Sequence, residues 1–433
     1  MMIIRFTLQK AILFIVLTAV FASLSFAQRA SGNPKQEKLL NGLRVLMWND
    51  PSAPNVTVKL RVHAGASFDP QEKEGVMKLL SEAIFPNEAE REFFKDDLGG
   101  GLEIVCNYDY IEITASSKPE SYLAMIETLA ASVTRPDIDK ETTEAIKSRH
   151  ATKLESNEKD AAYIADLAAR KRLFGTFPYG RPIDGSTASL KNIDFADLVF
   201  AYQRLFGADN ATIAIAGNFP SDVGYRAIRR YFGSWLKSDK RVPSTFRQPD
   251  PPPPGTQIVE SPENGVTEIR YALRGVARND KDFAAALVLA SVLEQRLKAK
   301  AAEAQRANVF VRNHANVLPG VMMFGVSKIK GEMTAAVTSE RPKSDAGDIV
   351  AGALNDRVTD AEFRGAKSSA TAEFNRLDAM TMWLDADTFR LASVKADQDA
   401  MGAVALADVQ RLADRLKQQP VASVLVLTPK SAE

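Results

Sequence analysis

The chain has one cysteine and three histidines in 433 residues. Cys106 has no partner for an internal disulfide. It lies in a β-like run over 102–114 with no histidine beside it, so it reads as a small buried hydrophobe rather than a reactive thiol. His63, His150 and His314 are far apart in sequence, so no helix can present two of them at i and i+4 to one metal ion. Charge of one sign is also lacking. The formal balance is +1 at pH 7, without the basic patch that nucleic-acid binding needs. There is no G-x-S-x-G, so serine-based hydrolysis has no support. Gly99, Gly100 and Gly101 are not followed by the lysine and hydroxyl residue of a phosphate loop and lead into a strand, which marks a tight turn. The three tryptophans are scattered and form no binding stripe.

Long apolar runs occur only at the N-terminus. Arg5 and Lys10 precede an apolar stretch over 11–24, and Ser25, Phe26 and Ala27 end it with small residues at the positions a signal peptidase reads. Residues 1–27 are therefore expected to be a secretory signal, with a retained N-terminal anchor as the alternative. No cysteine lies near the cleavage point to take a lipid. Removing the segment takes away two basic residues and leaves a net charge of −1, with no further span apolar enough for a bilayer. The expected location is the periplasm or the cell exterior.

At this length two domains are expected. Composition marks the boundary: residues 237–256 are rich in proline, with Pro251 to Pro254 consecutive, and such a run favours an extended, semi-rigid spacer. Domain one then spans 35–236 and domain two 257–433. A shift of 210 residues lays Val56, Thr57 and Gly65 over Val266, Thr267 and Gly275. Both segments pass from strand-like to helical periodicity at the same place. Val56, Val58, Leu60 and Val62 alternate with polar residues, and beyond Asp69-Pro70 come Val76, Leu79, Leu80 and Ala83 at helical spacing. Leu287, Ala290, Leu293 and Leu297 repeat that helical spacing in the second copy. A duplicated α+β domain is the expectation, each copy a strand-rich sheet with helices on one face. Asn41-Gly42 is a hairpin turn into a strand over 43–48, and 211–216 is a buried strand followed by a helix over 222–235. In the second copy helices are expected over 359–376, 385–396 and 407–417, and a final strand over 422–427. His63 falls on the polar face of its strand and is expected to be solvated.

Three segments resemble the insulinase (pitrilysin) family of zinc peptidases, in particular its shorter bacterial and mitochondrial-processing-type members. They are LLNGLRVLMWNDPSAPNVTVKLRVHAGASFDP from residue 39, EREFFKDDLGGGLEIVCNYDYIEITASSKPESYLAMIETLAASVTRP from residue 90, and FPYGRPIDGSTASLKNIDFADLVFAYQRLFGADNATIAIAGNF from residue 177. The resemblance runs over nearly all of the chain beyond residue 27 and is weaker in domain two. It implies two similar α+β halves forming one side of a clamshell around a chamber. Within the third segment, Pro178 to Pro182 reads as a rigid loop between helices, a shape marker of the family.

Active relatives carry H-x-x-E-H on the first helix, where two histidines bind zinc and the glutamate activates the bound water. Aligned through Gly75, this chain reads GVMKLLSEAIF, placing Lys78 at the first histidine, Ser81 at the glutamate and Glu82 at the second histidine. The third ligand of the family is a glutamate further on, and neither Glu144 nor Glu155 fits it. Lys78 and Glu82 are expected to form an exposed helical ion pair of little energetic weight. The alternative is a pair that replaces the metal inside a vestigial pocket. The family also uses an arginine and a tyrosine of domain two to grip substrate. By register these fall on Ala302 and Val309; Arg306 or Arg312 could stand in for the arginine, but the last tyrosine is Tyr271. No bound metal or other cofactor is expected. The resulting expectation is a non-catalytic, peptidase-like subunit that pairs with a zinc-bearing homologue to enclose peptides. The alternative is a stand-alone pseudoenzyme that binds peptides or scaffolds a complex.

Overall fold

The computed structural model describes residues 32–238, 247–262, 267–303 (backbone only for 301–303), 309–327 and 352–427. The expected export signal, the Ala302 side chain and Arg306 lie outside them. The N-terminal half runs β1 (Lys35–Lys38), β2 (Arg44–Asn49), β3 (Val56–Val62), α1 (Val76–Ala83), α2 (Glu88–Asp96), β4 (Gly101–Cys106), β5 (Ile111–Ser117), α3 (Tyr122–Thr134), α4 (Lys140–Asn157), α5 (Ala161–Phe174), α6 (Thr187–Leu190), α7 (Phe195–Leu205), β6 (Ala211–Gly217) and α8 (Ser221–Phe232). The C-terminal half runs β7 (Thr256–Glu260), β8 (Thr267–Arg274), α9 (Phe283–Glu303), β9 (Val309–His314), β10 (Val321–Val326), α10 (Asp360–Phe374), α11 (Ala379–Thr388), α12 (Val394–Ala403), α13 (Leu406–Lys417) and β11 (Ala422–Leu427).

The first sheet has the order β1-β2-β6-β3-β5-β4 and the second β7-β11-β8-β10-β9. Each contains one parallel pair, β2 with β6 and β7 with β11, in otherwise antiparallel pairing. Apart from β1 the second sheet repeats the first strand for strand, so the duplication is architectural as well as sequential. The fold is α+β with two similar halves.

The alternation in β3 explains both faces of the first sheet. Val56, Val58 and Leu60 point to a core shared with the helices α1, α3 and α8. Lys59, Arg61 and then His63 occupy the opposite face, which belongs to water in the simplest sheet. Here helix α11 of the C-terminal half covers it, packing Met380 and Leu384 against Leu46, Trp48, Ala214 and Ala216. The second sheet is covered in return by α5 of the N-terminal half. Its small residues Ala161, Ala165 and Ala169 recur every four positions and pack on Ala272, Met323 and Val424. Each sheet therefore borrows a helix from the other half.

Charges fix this exchange. Arg61, 1% exposed, binds Glu112 of its own sheet at 2.6 Å and Asp385 of α11 at 2.7 Å. Arg270, equally buried, binds Glu268 at 2.8 Å and Asp166 of α5. Lys59 adds Asp378 and Thr381, both at 2.7 Å. His63 is not solvated as expected. Its Nδ1 lies 3.1 Å from the Thr388 hydroxyl, its Nε2 3.1 Å from the Thr212 hydroxyl and 3.4 Å from Asp387. The polar face of β3 carries an interface.

A second correction concerns the helix expected over 385–396. α11 stops at Thr388 and α12 starts at Val394, with Ser393 accepting from Ala396 N as its N-cap. Between them Arg390 takes a left-handed φ of 54°. The run over 102–114 is a hairpin rather than one strand, turning at 107–110, with Asn107 N donating to Tyr110 O at 2.8 Å. The glycine run ahead of it makes the expected tight turn. A Cβ on Gly100 would lie 1.9 Å from the Ser116 carbonyl oxygen, so only glycine lets β4 approach β5 there.

Candidate functional site: a closed polar cluster beside an open sheet edge

Helix α1 is short and depends on tertiary packing. Val76, Met77, Leu79, Leu80 and Ala83 are all buried on the first core, where a leucine contributes roughly 1.5–3 kcal/mol. Its N-terminus is capped from a distance: the Asp69 carboxylate accepts from Gly75 N and Met77 N, both at 2.8 Å. Gly75 adopts φ 103°, a conformation other residues rarely take. Burial pushes the Asp69 carboxyl up to about 7 in spite of these two bonds. The helix ends three residues before Pro86, which cannot continue it.

This packing turns Lys78, Ser81 and Glu82 inward rather than to solvent. The Lys78 and Glu82 side chains are 14% and 20% exposed, with Nζ 3.0 Å from Oε1. The expected exposed pair is thus a largely buried one, because α4 lies over it. From α4 comes His150, 2% exposed. Its Nε2 donates to the Asp184 carbonyl at 2.7 Å, which leaves Nδ1 facing Glu82 at 3.7 Å. Ser81 is fully buried and donates its hydroxyl to the Lys78 carbonyl at 2.7 Å. Glu144 and Glu155 sit on the same helix but are exposed, and Glu144 pairs with Lys147 at 3.1 Å. The side chain that faces Glu82 from α4 is the histidine. In the sequence His150 stands in a polar helix with no motif around it, so its place could be found only through the packing of α4.

These residues do not fit a zinc ion. The ammonium of Lys78 sits against Glu82, and the one nearby imidazole offers a single nitrogen, Nδ1, to the cluster. Among the described residues no group of three or more His, Cys, Asp or Glu is arranged to hold a metal. Neither Glu82, which is ion-paired, nor Ser81, whose hydroxyl is bonded to its own helix, is free to act as a hydrolytic base. Burial pushes the Cys106 thiol, close to this cluster at the end of β4, upward, which makes it a poor nucleophile.

Beside the cluster runs β4, an edge strand of the first sheet. Asn107 is bonded to Tyr110 across the turn, so by antiparallel alternation Val105 and Glu103 bond to β5. The main-chain groups of Ile104 and Leu102 then point away from the sheet. An extended segment can pair with them as an added strand.

Two family models match in tandem: insulinase (peptidase family M16) over residues 44–185 and peptidase M16 inactive domain over 192–369. The chain belongs to the insulinase (M16) family. The beta subunit of the mitochondrial-processing peptidase of Saccharomyces cerevisiae is 24% identical over 60% of this chain and 58% of its own length. An uncharacterized zinc protease of Mycobacterium tuberculosis is 25% identical over 48% of this chain and 49% of its own. The matches span about half the length of these curated relatives. In fold the chain is similar to a peptidase M16 inactive domain from Pseudomonas fluorescens, with a TM-score of 0.78 and 20% identity over 93% of this chain and all of the other.

In this M16 chain the second expected contact region is only partly described. Val309, at the position expected for the gripping tyrosine, opens β9 with its side chain buried. Arg312 lies farther along β9, half-exposed and 3.4 Å from Asp166. The rigid loop expected at Pro178 to Pro182 ties the halves together: Tyr179 donates to Asp109 at 2.8 Å and accepts from Leu318 N at 3.1 Å.

Proposed function

We propose that this chain is a non-catalytic M16 subunit, exported from the cytoplasm, which pairs with a zinc-bearing homologue and holds peptide for it. The observation that carries the proposal is the Lys78–Glu82 pair: a fixed ammonium stands where active relatives place a metal, next to a sheet edge still open to an extended peptide. A half that binds peptide without cutting it is useful when a second half completes the chamber. The yeast relative, by its name, is itself one subunit of a peptidase.

The test is co-expression with a homologue that carries H-x-x-E-H, size-exclusion chromatography, and peptidase assays of each chain alone and together. The expected result is a complex in which cleavage requires the homologue. Stoichiometric zinc and peptide cleavage by this chain alone would sink the proposal. The open β4 edge also supports a second reading, a stand-alone peptide-binding pseudoenzyme; the absence of any H-x-x-E-H chain from the neighbouring reading frames would favour it.

A further inference from the structure

In the second half a cleft lies between α9 and the β9–β10 hairpin, at the position that the closed cluster on α1 occupies in the first half. The shift that relates the two halves carries Ser81 onto Ser291, and Ser291 lines this cleft. Around α1 the buried polar groups bond to one another or to backbone, whereas in this cleft several are left over.

The cleft is a cavity of about 920 Å³ where the halves meet. Pockets of about 300–1,000 Å³ typically enclose small-molecule ligands. The wall from α9 and α10 carries Leu287, Phe374 and, just beyond, Leu377 among charged residues that include Glu294, Lys298 and Glu373. The other carries Arg170, Asn313 and Asn316. The Arg170 Nη1, both polar atoms of the Asn313 carboxamide and the Asn316 Nδ2 are buried without a hydrogen-bond partner. Asn316 is 6% exposed. Among the described residues only one other side-chain atom, Arg172 Nε, shares that condition. Buried polar groups without partners are destabilising, so a cluster of them on one cavity wall marks a surface shaped for something else.

We infer that this cavity binds the carboxylate end of a short apolar peptide. Three of the four unmatched atoms are donors and one belongs to a guanidinium, so the complementary group is rich in acceptors and negatively charged. The Asn313 carboxamide offers one donor and one acceptor, the complement of a main-chain amide. Leu287, Phe374 and Leu377 on the facing wall take the last side chains. The inference does not depend on a zinc-bearing partner, and the chain alone tests it.

The experiment is calorimetric titration of the purified chain with an N-acetylated pentapeptide ending in two leucines, with its C-terminal amide, and with dodecanoate. The free acid is expected to bind and the amide to bind at least about tenfold more weakly, the scale of one charge-assisted hydrogen bond. Asn313→Leu and Asn316→Leu should each weaken the acid by at least about tenfold while leaving the melting temperature unchanged or higher, since each removes an unmatched polar group. Equal binding of acid and amide overturns the inference, as do variants that keep their affinity. Binding of dodecanoate without the peptide assigns the cavity to a lipid acid and overturns it too. Failure here leaves the pairing proposal standing, because no second chain enters the test.

Discussion

Arg61 Nη1 stands 2.7 Å from Asp385 Oδ1, joining the central strand of one half to a helix of the other across 324 residues of chain. The guanidinium also lies 4.0 Å from the centre of the Tyr110 ring. Burial alone would lower the Arg61 pKa, but Glu112 and Asp385 raise it above its ordinary value, so it stays charged throughout.

Breaking this contact is expected to be expensive. Arg61→Met leaves the Glu112 and Asp385 carboxylates without their cation and should destabilise the protein by about 3–5 kcal/mol, whereas Asp385→Leu leaves Arg61 paired with Glu112 and should cost less. The double variant should lose less than the sum of the two. Urea unfolding of all four proteins in a double-mutant cycle measures the coupling.

The cluster on α1 makes a constructive prediction. In Lys78→His combined with Glu82→His, two imidazoles sit at i and i+4 and the buried His150 faces them from α4. This double variant is expected to bind zinc with micromolar or better affinity by calorimetry, and to remain without peptidase activity because Ser81 supplies no base. A variant with no zinc binding would refute this geometry, since His150 Nδ1 can ligate while Nε2 keeps its bond to the Asp184 carbonyl.

Asp69 gives a pH dependence of definite sign. Its folded-state value of about 7 lies above the ordinary 3.8, so between those values the folded protein keeps a proton that the unfolded chain has released. Its contribution is therefore full at low pH and falls as pH rises toward 7, by an amount on the order of a few kcal/mol. Asp69→Asn does not titrate and keeps only one of the two acceptors, so it should be less stable at low pH and its stability relative to wild type should rise from pH 4.5 to 7.5. A flat difference in urea midpoints would refute this.

Gly100→Ala should force β4 off β5, because its methyl group meets the Ser116 carbonyl. A loss of at least about 2 kcal/mol is expected, with faster amide exchange confined to β4 and its neighbours.

Much of this architecture was legible beforehand. The alternation of Val56, Val58 and Leu60 and the helical spacing after Asp69 placed β3 and α1, and the repeat at 210 residues announced the second sheet. Lys59, Arg61 and His63 misled, since a polar strand face reads as solvent unless the distant acids Asp378, Asp385 and Asp387 are known to cover it. The break at Arg390 carried no glycine or proline to announce it. Lys78 and Glu82 were found by alignment, but their burial was not, because it depends on α4 lying across them. Asn313 and Asn316 carried no signal at all: an unmatched amide is a property of its surroundings.

The reciprocal loan of α5 and α11 also bears on how such a molecule is put together. A half cut out at the proline run would leave a sheet with a buried arginine suddenly bare and a helix with nothing to cover. The cutting point that looks natural in the sequence is thus not one between independent folding units. Each copy completes the other, as the subunits of a domain-swapped homodimer do.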